Sequence, residues 1–187
     1  MKAMTHFANQ FMIAMPGLQD PGFSRTVSII CEHNEQGALG LVLNRPSDIN
    51  VGELLAQMDL TTANDQLAAQ AVLHGGPVSR DRGFVLHEER GPWESTMSVS
   101  PDLQLTTSRD ILEAMANGEG PTRAVMTVGY AGWSAGQLEE EMTANSWLSA
   151  DYSSDILFNT PVEQRWSAAT ALLGIDPHQI TGEAGHA

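Results

Sequence analysis

The stretch "TVSIICEHNEQGALGLVLN", residues 26–44, predicts the first element of the fold. An apolar run rich in Val and Ile is followed by a polar turn that ends at Gly37, and a second apolar run follows that turn. This pattern is typical of a β-hairpin. The hairpin carries the only cysteine of the chain, Cys31, and His33 follows two residues later. Because residues two apart on a strand point to the same face, we expect Cys31 and His33 to lie side by side.

The rest of the chain mixes strands with helices in an irregular order. Strands are predicted on both sides of a long loop in residues 71–89, at residues 96–100 and at residues 122–133. Four helices are predicted, with N-caps at Asn50, Ser108, Ser134 and Thr160. Pro161 is expected at the first position of the last helix. This order lacks a regular βαβ alternation, and it therefore predicts an α+β fold with a mixed sheet.

Two expectations concern the last third of the chain. The acidic run Glu139–Glu141 is predicted to be a solvated helix face near a helix N-terminus, where acids are favourable. Three tryptophans, Trp133, Trp147 and Trp166, are predicted to fill the core under the last two helices. Ser134 is interpreted as a helix cap that forms a capping box with Gln137, rather than as a nucleophile.

Composition limits the class of protein. The chain has 187 residues, which fits one domain over residues 1–187. Its formal net charge is −14, which disfavours direct nucleic-acid binding because a phosphate backbone would be repelled. Its apolar runs are far shorter than the roughly 20 residues of a membrane helix, and no signal peptide is recognisable, so no membrane partner is expected. A single cysteine suits a reducing cytoplasm, where we expect the protein to reside.

Cys31 has three possible roles. It could be a buried apolar residue, a reactive thiol paired with His33, or a metal ligand. Glu32 and Glu35 lie near it in the sequence, and negative charge raises the pKa of a thiol and makes the thiolate rarer. Core packing is therefore favoured, and Cys31 and His33 stay weak candidates for catalysis.

Two further histidines flank the loop in residues 71–89. His74 and His87 follow similar apolar triplets, so they are candidates to face one another across a hairpin and to contribute to a ligand site. No zinc-type spacing is present, and we expect neither a metal site nor a cofactor. The "HGGP" sequence at residues 74–77 is interpreted as a tight turn that needs glycine, because Pro77 lacks the N–H donor that a phosphate-binding loop would use.

Arginines provide the other candidate site. Arg25, Arg45, Arg80 and Arg82 are expected at strand ends or in loops, where binding residues often gather. Their guanidinium groups could hold a small anionic ligand or a carboxylate of a protein partner. They could equally pair with acids of the chain itself, such as Asp20, Asp81 or Glu32.

Several blocks of the sequence resemble one known family. They are "FMIAMPGLQDPGFSRTVSIICEHNEQGALGLVLNRP" (11–46), "LHGGPVSRDRGFVLH" (73–87), "TTSRDILEAMANG" (106–118), "GYAGWSAGQLEEEMTANSWL" (129–148) and "ITGEAGHA" (180–187). Together they resemble the YqgE/AlgH family of bacterial proteins over nearly the whole chain. Gln10 is a departure, since many relatives carry histidine there. The resemblance implies an α+β fold in which a mixed, bifurcated β-sheet curls into a partial barrel with flanking helices.

What the resemblance implies about function is limited. Most family members are described as uncharacterised, some are named as transcriptional regulators, and no catalytic residue can be carried over. The main hypothesis is a non-enzymatic cytoplasmic regulatory or binding protein that acts through a small anionic ligand or a protein partner. One alternative is a hydrolase or transferase that uses Cys31 and His33 on an activated acyl or phosphoryl substrate. The other is direct transcriptional regulation.

Overall fold

A computed structural model describes residues 7–15 and 25–174 of the chain. This part contains ten strands: β1 (Gln10–Ala14), β2 (Val27–Asn34), β3 (Gly37–Val42), β4 (Pro46–Asn50), β5 (Ala71–His74), β6 (Val78–His87), β7 (Thr96–Ser100), β8 (Leu103–Thr106), β9 (Ala124–Ser134) and β10 (Trp147–Asp151). It also contains five α-helices: α1 (Val51–Gln57), α2 (Asp65–Ala69), α3 (Arg109–Ala116), α4 (Gln137–Thr143) and α5 (Arg165–Leu172). The block at residues 180–187 lies outside the described residues.

Helix α1 begins where its cap predicts. The side chain of Asn50 accepts a hydrogen bond from the backbone N–H of Glu53 at 2.8 Å, and the Glu53 carboxylate accepts one from the backbone N–H of Asn50 at 3.2 Å. This reciprocal pair is a capping box, which satisfies two backbone donors that a helix start would leave unpaired. Ser108 likewise occupies the N-cap of α3, as predicted.

The last two helices begin later than predicted. Ser134 ends β9, and Gly136, at φ +77°, is the N-cap of α4. The Gln137 side chain still accepts from the backbone N–H of Ser134 at 2.9 Å, so the predicted contact forms one turn before the helix. Helix α5 begins at Arg165 rather than after Thr160, because a π-helical turn (Asp155–Asn159) and a 3₁₀ turn (Val162–Gln164) occupy the preceding residues.

The sheet confirms the α+β class and the curled, mixed architecture. Its strands run in the order β10-β1-β2-β3-β9-β6-β8-β7, and β4 and β5 form a branch from β9. Only the β5–β9 pair is parallel among the described pairs. The predicted hairpin is β2 and β3, whose register shifts between Ile30 and Glu32. This β-bulge places an extra residue, Cys31, in one strand and alters which face the following side chains occupy.

Strand β9 is the point where the sheet divides. Thr127 is paired with Leu73 of β5 and also with Phe84 of β6, so β5 and β6 lie on opposite edges of β9. Further along β9, residues 131–134 are paired with β3. The N–H of Val42, at the end of β3, donates to the carbonyl of Gly75, so β5 ends between β3 and β9.

Glycines allow the chain to cross β9 between β5 and β6. The connection at residues 75–77 must pass from one edge of β9 to the other, because β5 and β6 pair with opposite edges. A Cβ atom on Gly76 would lie 2.1 Å from the carbonyl carbon of Tyr130, and one on Gly129 would lie 2.4 Å from the Gly76 carbonyl oxygen. The "HGGP" sequence therefore forms a close backbone crossing rather than a simple tight turn.

The three tryptophans are buried, as predicted, and the acidic run of α4 contributes to their environment. Trp166 packs in the largest core cluster, whereas Trp133 and Trp147 pack beside α4. Both of the latter indoles donate to Oε1 of Glu141, at 3.2 and 2.9 Å. The expectation that Glu139–Glu141 is only a solvated face is therefore wrong, since Glu141 is half-buried and binds two core side chains.

Candidate functional site

Cys31 is part of the main hydrophobic core. Its side chain is 2 % exposed and packs with residues of β1, β2 and β3 such as Phe11, Ile29 and Leu41. Burial, with a smaller contribution from the Glu32 carboxylate, raises the pKa of the Cys31 thiol to about 12. The thiolate, which is the nucleophilic form, is therefore scarce at neutral pH.

His33 lies on the other face of the hairpin. The Phe7 ring stacks on it at 5.6 Å, and Phe7 packs against the cluster that contains Ile30 and Trp133 rather than the cluster of Cys31. The expectation that Cys31 and His33 share a face is wrong. The reason is the β-bulge at Cys31, which interrupts the alternation of side chains along β2.

Both ring nitrogens of His33 are engaged. Nδ1 accepts a hydrogen bond from the backbone N–H of Phe7 at 3.0 Å, so Nδ1 carries no proton. Nε2 therefore carries the proton and donates a hydrogen bond to the Glu139 carboxylate at 2.9 Å. With one nitrogen used as acceptor and the other as donor, His33 ties the chain at Phe7 to α4 and has no lone pair available to activate a thiol.

A labelling experiment tests the inert thiol. A rise in pKa from 9.0 to about 12 reduces the thiolate fraction by about a thousand-fold. We therefore expect iodoacetamide to leave Cys31 unmodified in the folded protein at pH 8 and to alkylate it fully in guanidinium chloride, with mass spectrometry as the readout. Fast stoichiometric alkylation of the folded protein would contradict this placement.

His74 and His87 do not face one another. His74 is paired with Val128 on one edge of β9, and His87 is paired with Ala124 on the other. His87 is fully buried, where Nδ1 donates to the carbonyl of Glu89 at 2.7 Å and Nε2 lies 2.7 Å from the Thr106 hydroxyl. Burial is the main cause that lowers the pKa of His87. Within residues 7–15 and 25–174, no cluster of three or more His, Cys, Asp or Glu side chains could hold a metal ion.

The four predicted arginines do not converge on one cavity. Arg25 lies over the Trp166 ring at 5.4 Å, and Arg82 lies over the Phe84 ring at 5.5 Å. Arg45 is half-buried, and its carbonyl accepts from the N–H of His74, whereas Arg80 is exposed on β6. Arg25, Arg45 and Arg80 line neither the cavity beside Arg165 nor the two depressions beside Tyr130.

A different arginine, Arg165, lies in the wall of a cavity of about 560 Å³. We call this space the Arg165 cavity. It is formed by the start of β9, the loop before it, helix α2 and the π-helical turn, and its lining includes Leu67, Gln70, Arg123, Phe158, Arg165 and Asn64. Its size falls within the range that small-molecule sites occupy, about 300–1,000 Å³.

Arg165 is a buried cation without a carboxylate partner among the described residues. It is 6 % exposed, and it donates from Nη1 to the Leu43 carbonyl at 2.6 Å and from Nε to the Thr160 carbonyl at 3.2 Å. A guanidinium has five N–H donors, so part of its capacity stays available to the cavity. Burial lowers the pKa of Arg165 to about 10, the nearby Glu163 carboxylate opposes this effect, and the group stays charged at neutral pH.

Arg123 stands at the same cavity but has an acidic partner. Its Nη2 donates to Glu88 at 2.8 Å and its Nη1 donates to the Asn159 side chain at 3.1 Å. The guanidinium also lies 5.0 Å from the ring centroid of Phe158, which lines the cavity. Arg123 therefore holds the π-helical turn against β9 and shapes the wall in which Arg165 makes no ion pair with a described residue.

Sequence reasoning missed Arg165, although one signal was present. Arg165 is the only Lys or Arg after Arg123. It is followed by Trp166 in a segment with little other charge, which suggests a buried position for both residues. The hydrogen bond that holds the buried guanidinium, however, runs from Arg165 to the Leu43 carbonyl, 122 residues away in the chain.

Comparison with known proteins identifies the family. A family model described as "AlgH-like" (DUF179) matches residues 11–178. The chain belongs to the AlgH-like family. A UPF0301 protein of Thioalkalivibrio sulfidiphilus is 55 % identical over 188 residues, with 100 % of both chains covered. A UPF0301 protein of Ralstonia nicotianae is 54 % identical, and the alignment covers 99 % of this chain and 97 % of that protein.

Solved structures agree with the AlgH-like assignment. The solution structure of the AlgH protein from Pseudomonas aeruginosa has a TM-score of 0.80 and 44 % sequence identity, covering 100 % of this chain and 99 % of that one. A crystal structure from Corynebacterium diphtheriae has a TM-score of 0.70 at 19 % identity, covering 90 % and 87 %, which is a likeness of fold alone. The resemblance to the YqgE/AlgH family is thus confirmed. No helix of the described part of this AlgH-like chain is long and apolar enough to cross a membrane.

Proposed function

We propose that this AlgH-like chain is a non-enzymatic cytoplasmic binding protein whose effector is a small organic anion held in the Arg165 cavity. The observation that carries the proposal is the buried guanidinium of Arg165, which lines the cavity and has no carboxylate partner among the described residues. Burying a charge without an ion pair is costly, so an anionic ligand that pairs with Arg165 would offset part of that cost.

The cavity lining indicates which kind of anion fits. Leu67, Met115 and Phe158 provide apolar surface, while Asn64 and Gln70 provide amide groups. A ligand with one carboxylate or phosphate and an apolar or aromatic body would place the charge on Arg165 and the body against these walls. Catalysis is not part of the proposal, because Cys31 is buried and His33 has both nitrogens engaged.

A thermal-shift screen tests the proposal. The panel contains nucleotides, phosphorylated sugars, dicarboxylates and acyl-coenzyme A compounds, with inorganic phosphate as the reference anion. A ligand at about 100 times its Kd stabilises a protein by about 2.7 kcal/mol, which raises the Tm by several degrees. We expect at least one organic anion to raise the Tm more than inorganic phosphate does, and we expect this rise to disappear in Arg165→Met.

A second variant avoids disturbing the backbone bonds of Arg165. Asn64 is the N-cap of α2 and lines the cavity, and Asn64→Asp keeps a good cap while it adds a negative charge. A carboxylate in the lining repels a bound anion, and a cost of about 1 kcal/mol would raise the Kd about five-fold. Asn50→Asp, which makes the same change at the cap of α1 outside the cavity, should leave the Kd unchanged. A flat panel, or equal binding by the wild type, Arg165→Met and Asn64→Asp, would refute the proposal.

A further inference from the structure

A second concave surface lies beside Arg82, away from the Arg165 cavity. It is a depression of about 340 Å³ whose lining includes Leu39, Arg82, Phe84, Met97, Glu94 and Tyr130. Past Leu39 and Tyr130 it continues into a second depression of about 350 Å³, lined by residues of the β2–β3 hairpin and of β9. We call the two together the Arg82 groove. Two depressions that share two lining residues form an elongated, open surface, which suits an extended chain better than a compact ligand.

The Arg82 end of the groove carries positive charge that the described residues do not neutralise. Arg82 is exposed and makes no ion pair with a described residue, and the same holds for Arg80. The Arg82 guanidinium lies 5.5 Å from the ring centroid of Phe84, so an aromatic ring rather than a carboxylate positions Arg82. Glu94 lines the same depression as Arg82, and Glu32 lines the second depression, so Arg82 is the cationic side chain of the groove with which an incoming acid can pair.

A strained bulge presents these arginines. The pairing of β6 with β9 jumps from Val78↔Tyr130 to Gly83↔Val128, so residues 79–82 oppose a single residue of β9. Ser79 adopts φ +48°, a conformation that residues other than glycine rarely hold. Such a protruding bulge re-aims side chains and leaves backbone groups available to a partner.

The floor of the groove offers an apolar and aromatic contact. Tyr130 packs edge-on against Phe84 at 5.8 Å, and Leu39 and Met97 are half-buried beside them. Tyr130 lines both depressions, and within the described part of the chain its hydroxyl has no hydrogen-bond partner. An aromatic ring, a flexible methionine and an arginine together are the residue types enriched at protein interfaces.

From these contacts we propose that the Arg82 groove binds an acidic, hydrophobic peptide segment of a partner protein. One acidic side chain pairs with Arg82, and an apolar side chain two residues away along the extended segment packs between Leu39, Met97 and Tyr130. Opposite charge favours an acidic partner at Arg82, whereas the net charge of −14 disfavours the approach of acidic proteins to most of the surface. The proposal does not depend on the Arg165 cavity.

Titration with a defined peptide, followed by ¹⁵N NMR, tests the groove. The probe is acetyl-Glu-Glu-Leu-Phe-amide, in which each glutamate has an apolar side chain two residues later, and its counterpart replaces both glutamates by lysine. We expect saturable shifts of the backbone amides of Leu39, Arg82 and Tyr130 with the acidic peptide and none with the lysine peptide. In Arg82→Gln the Kd should rise by about ten-fold, equivalent to the loss of one good charged contact. Arg90→Gln, a change at another exposed arginine outside the groove, should bind as the wild type does.

A charge reversal makes the test symmetric. Arg82→Glu should no longer bind the acidic peptide. It should instead bind the lysine peptide, with shifts at the same backbone amides. The proposal is overturned if the acidic peptide produces no localised shifts, if Arg82→Gln binds it with an unchanged Kd, or if free glutamate or inorganic phosphate reproduces the same shifts at the same concentration. A shift pattern confined to the residues around Arg165 would equally overturn it, because the peptide would then occupy the other site.

Discussion

Gly76→Ala is expected to prevent folding or to lower the free energy of unfolding by at least about 4 kcal/mol. A Cβ atom at this position would lie 2.1 Å from the carbonyl carbon of Tyr130 and 2.2 Å from its oxygen. These atoms belong to the backbone of β9, so no side chain can rotate away to make room. The crossing between β5 and β6 would have to open, and with it the fork at the centre of the sheet. Urea denaturation followed by circular dichroism measures the loss.

Gly83→Ala, on the strand that follows the crossing, is the matched control. Its added Cβ would meet nothing closer than the Thr127 carbonyl oxygen at 4.0 Å. We expect this variant to unfold within about 1 kcal/mol of the wild type. Equal stability of Gly76→Ala and Gly83→Ala would show that the chain does not cross β9 as described.

Glu141→Ala is expected to destabilise the protein by about 2–4 kcal/mol. The Glu141 carboxylate accepts from the indoles of Trp133 and Trp147 and from the Gln137 side chain, the last at 2.8 Å. Both indoles belong to buried residues, so removal of the acceptor leaves their donors without this bond inside the core. Denaturant unfolding monitored by tryptophan fluorescence reports both the stability and the environment of the two indoles.

Glu141→Gln separates the role of the acceptor from that of the charge. The glutamine side chain keeps one carbonyl oxygen for the indole donors, and so it should recover more than half of the stability that alanine loses. Glu140→Ala, on the exposed face of the same helix, should have little effect. If Glu141→Ala and Glu140→Ala cost the same, Glu141 contributes only as a surface residue, as its sequence context suggests.

Local sequence signals predicted the elements whose causes are local. The β2–β3 hairpin follows from two apolar runs around Gly37, and α1 begins at Val51 because Asn50 caps it and Glu53 completes the capping box. The start of α4 was placed too early because Ser134 and Gln137 do make the predicted bond, but Ser134 still belongs to β9. A capping pattern thus indicates a contact more reliably than the residue at which the helix begins.

The features that sequence reasoning missed depend on contacts between distant segments. The bulge that separates Cys31 from His33 depends on the register of β2 against β3, which no local pattern specifies. The separation of His74 from His87 depends on β9, which lies between their strands. The buried position of Arg165 depends on its hydrogen bond to the distant Leu43 carbonyl. The family resemblance does not indicate Arg165 either, because no catalytic residue is assigned in that family.

The most direct test of the account is the side-chain NMR signal of Arg165 during titration with the strongest binder from the anion panel. Nε of Arg165 is fixed by the Thr160 carbonyl, so its resonance is expected to be resolved and sensitive to charge placed on the same guanidinium. We predict that the Arg165 Nε–H signal shifts saturably, with the Kd that the thermal shift gives, and that the signal of Arg109 stays in place. A ligand that saturates the protein while the Arg165 signal does not move would contradict the account.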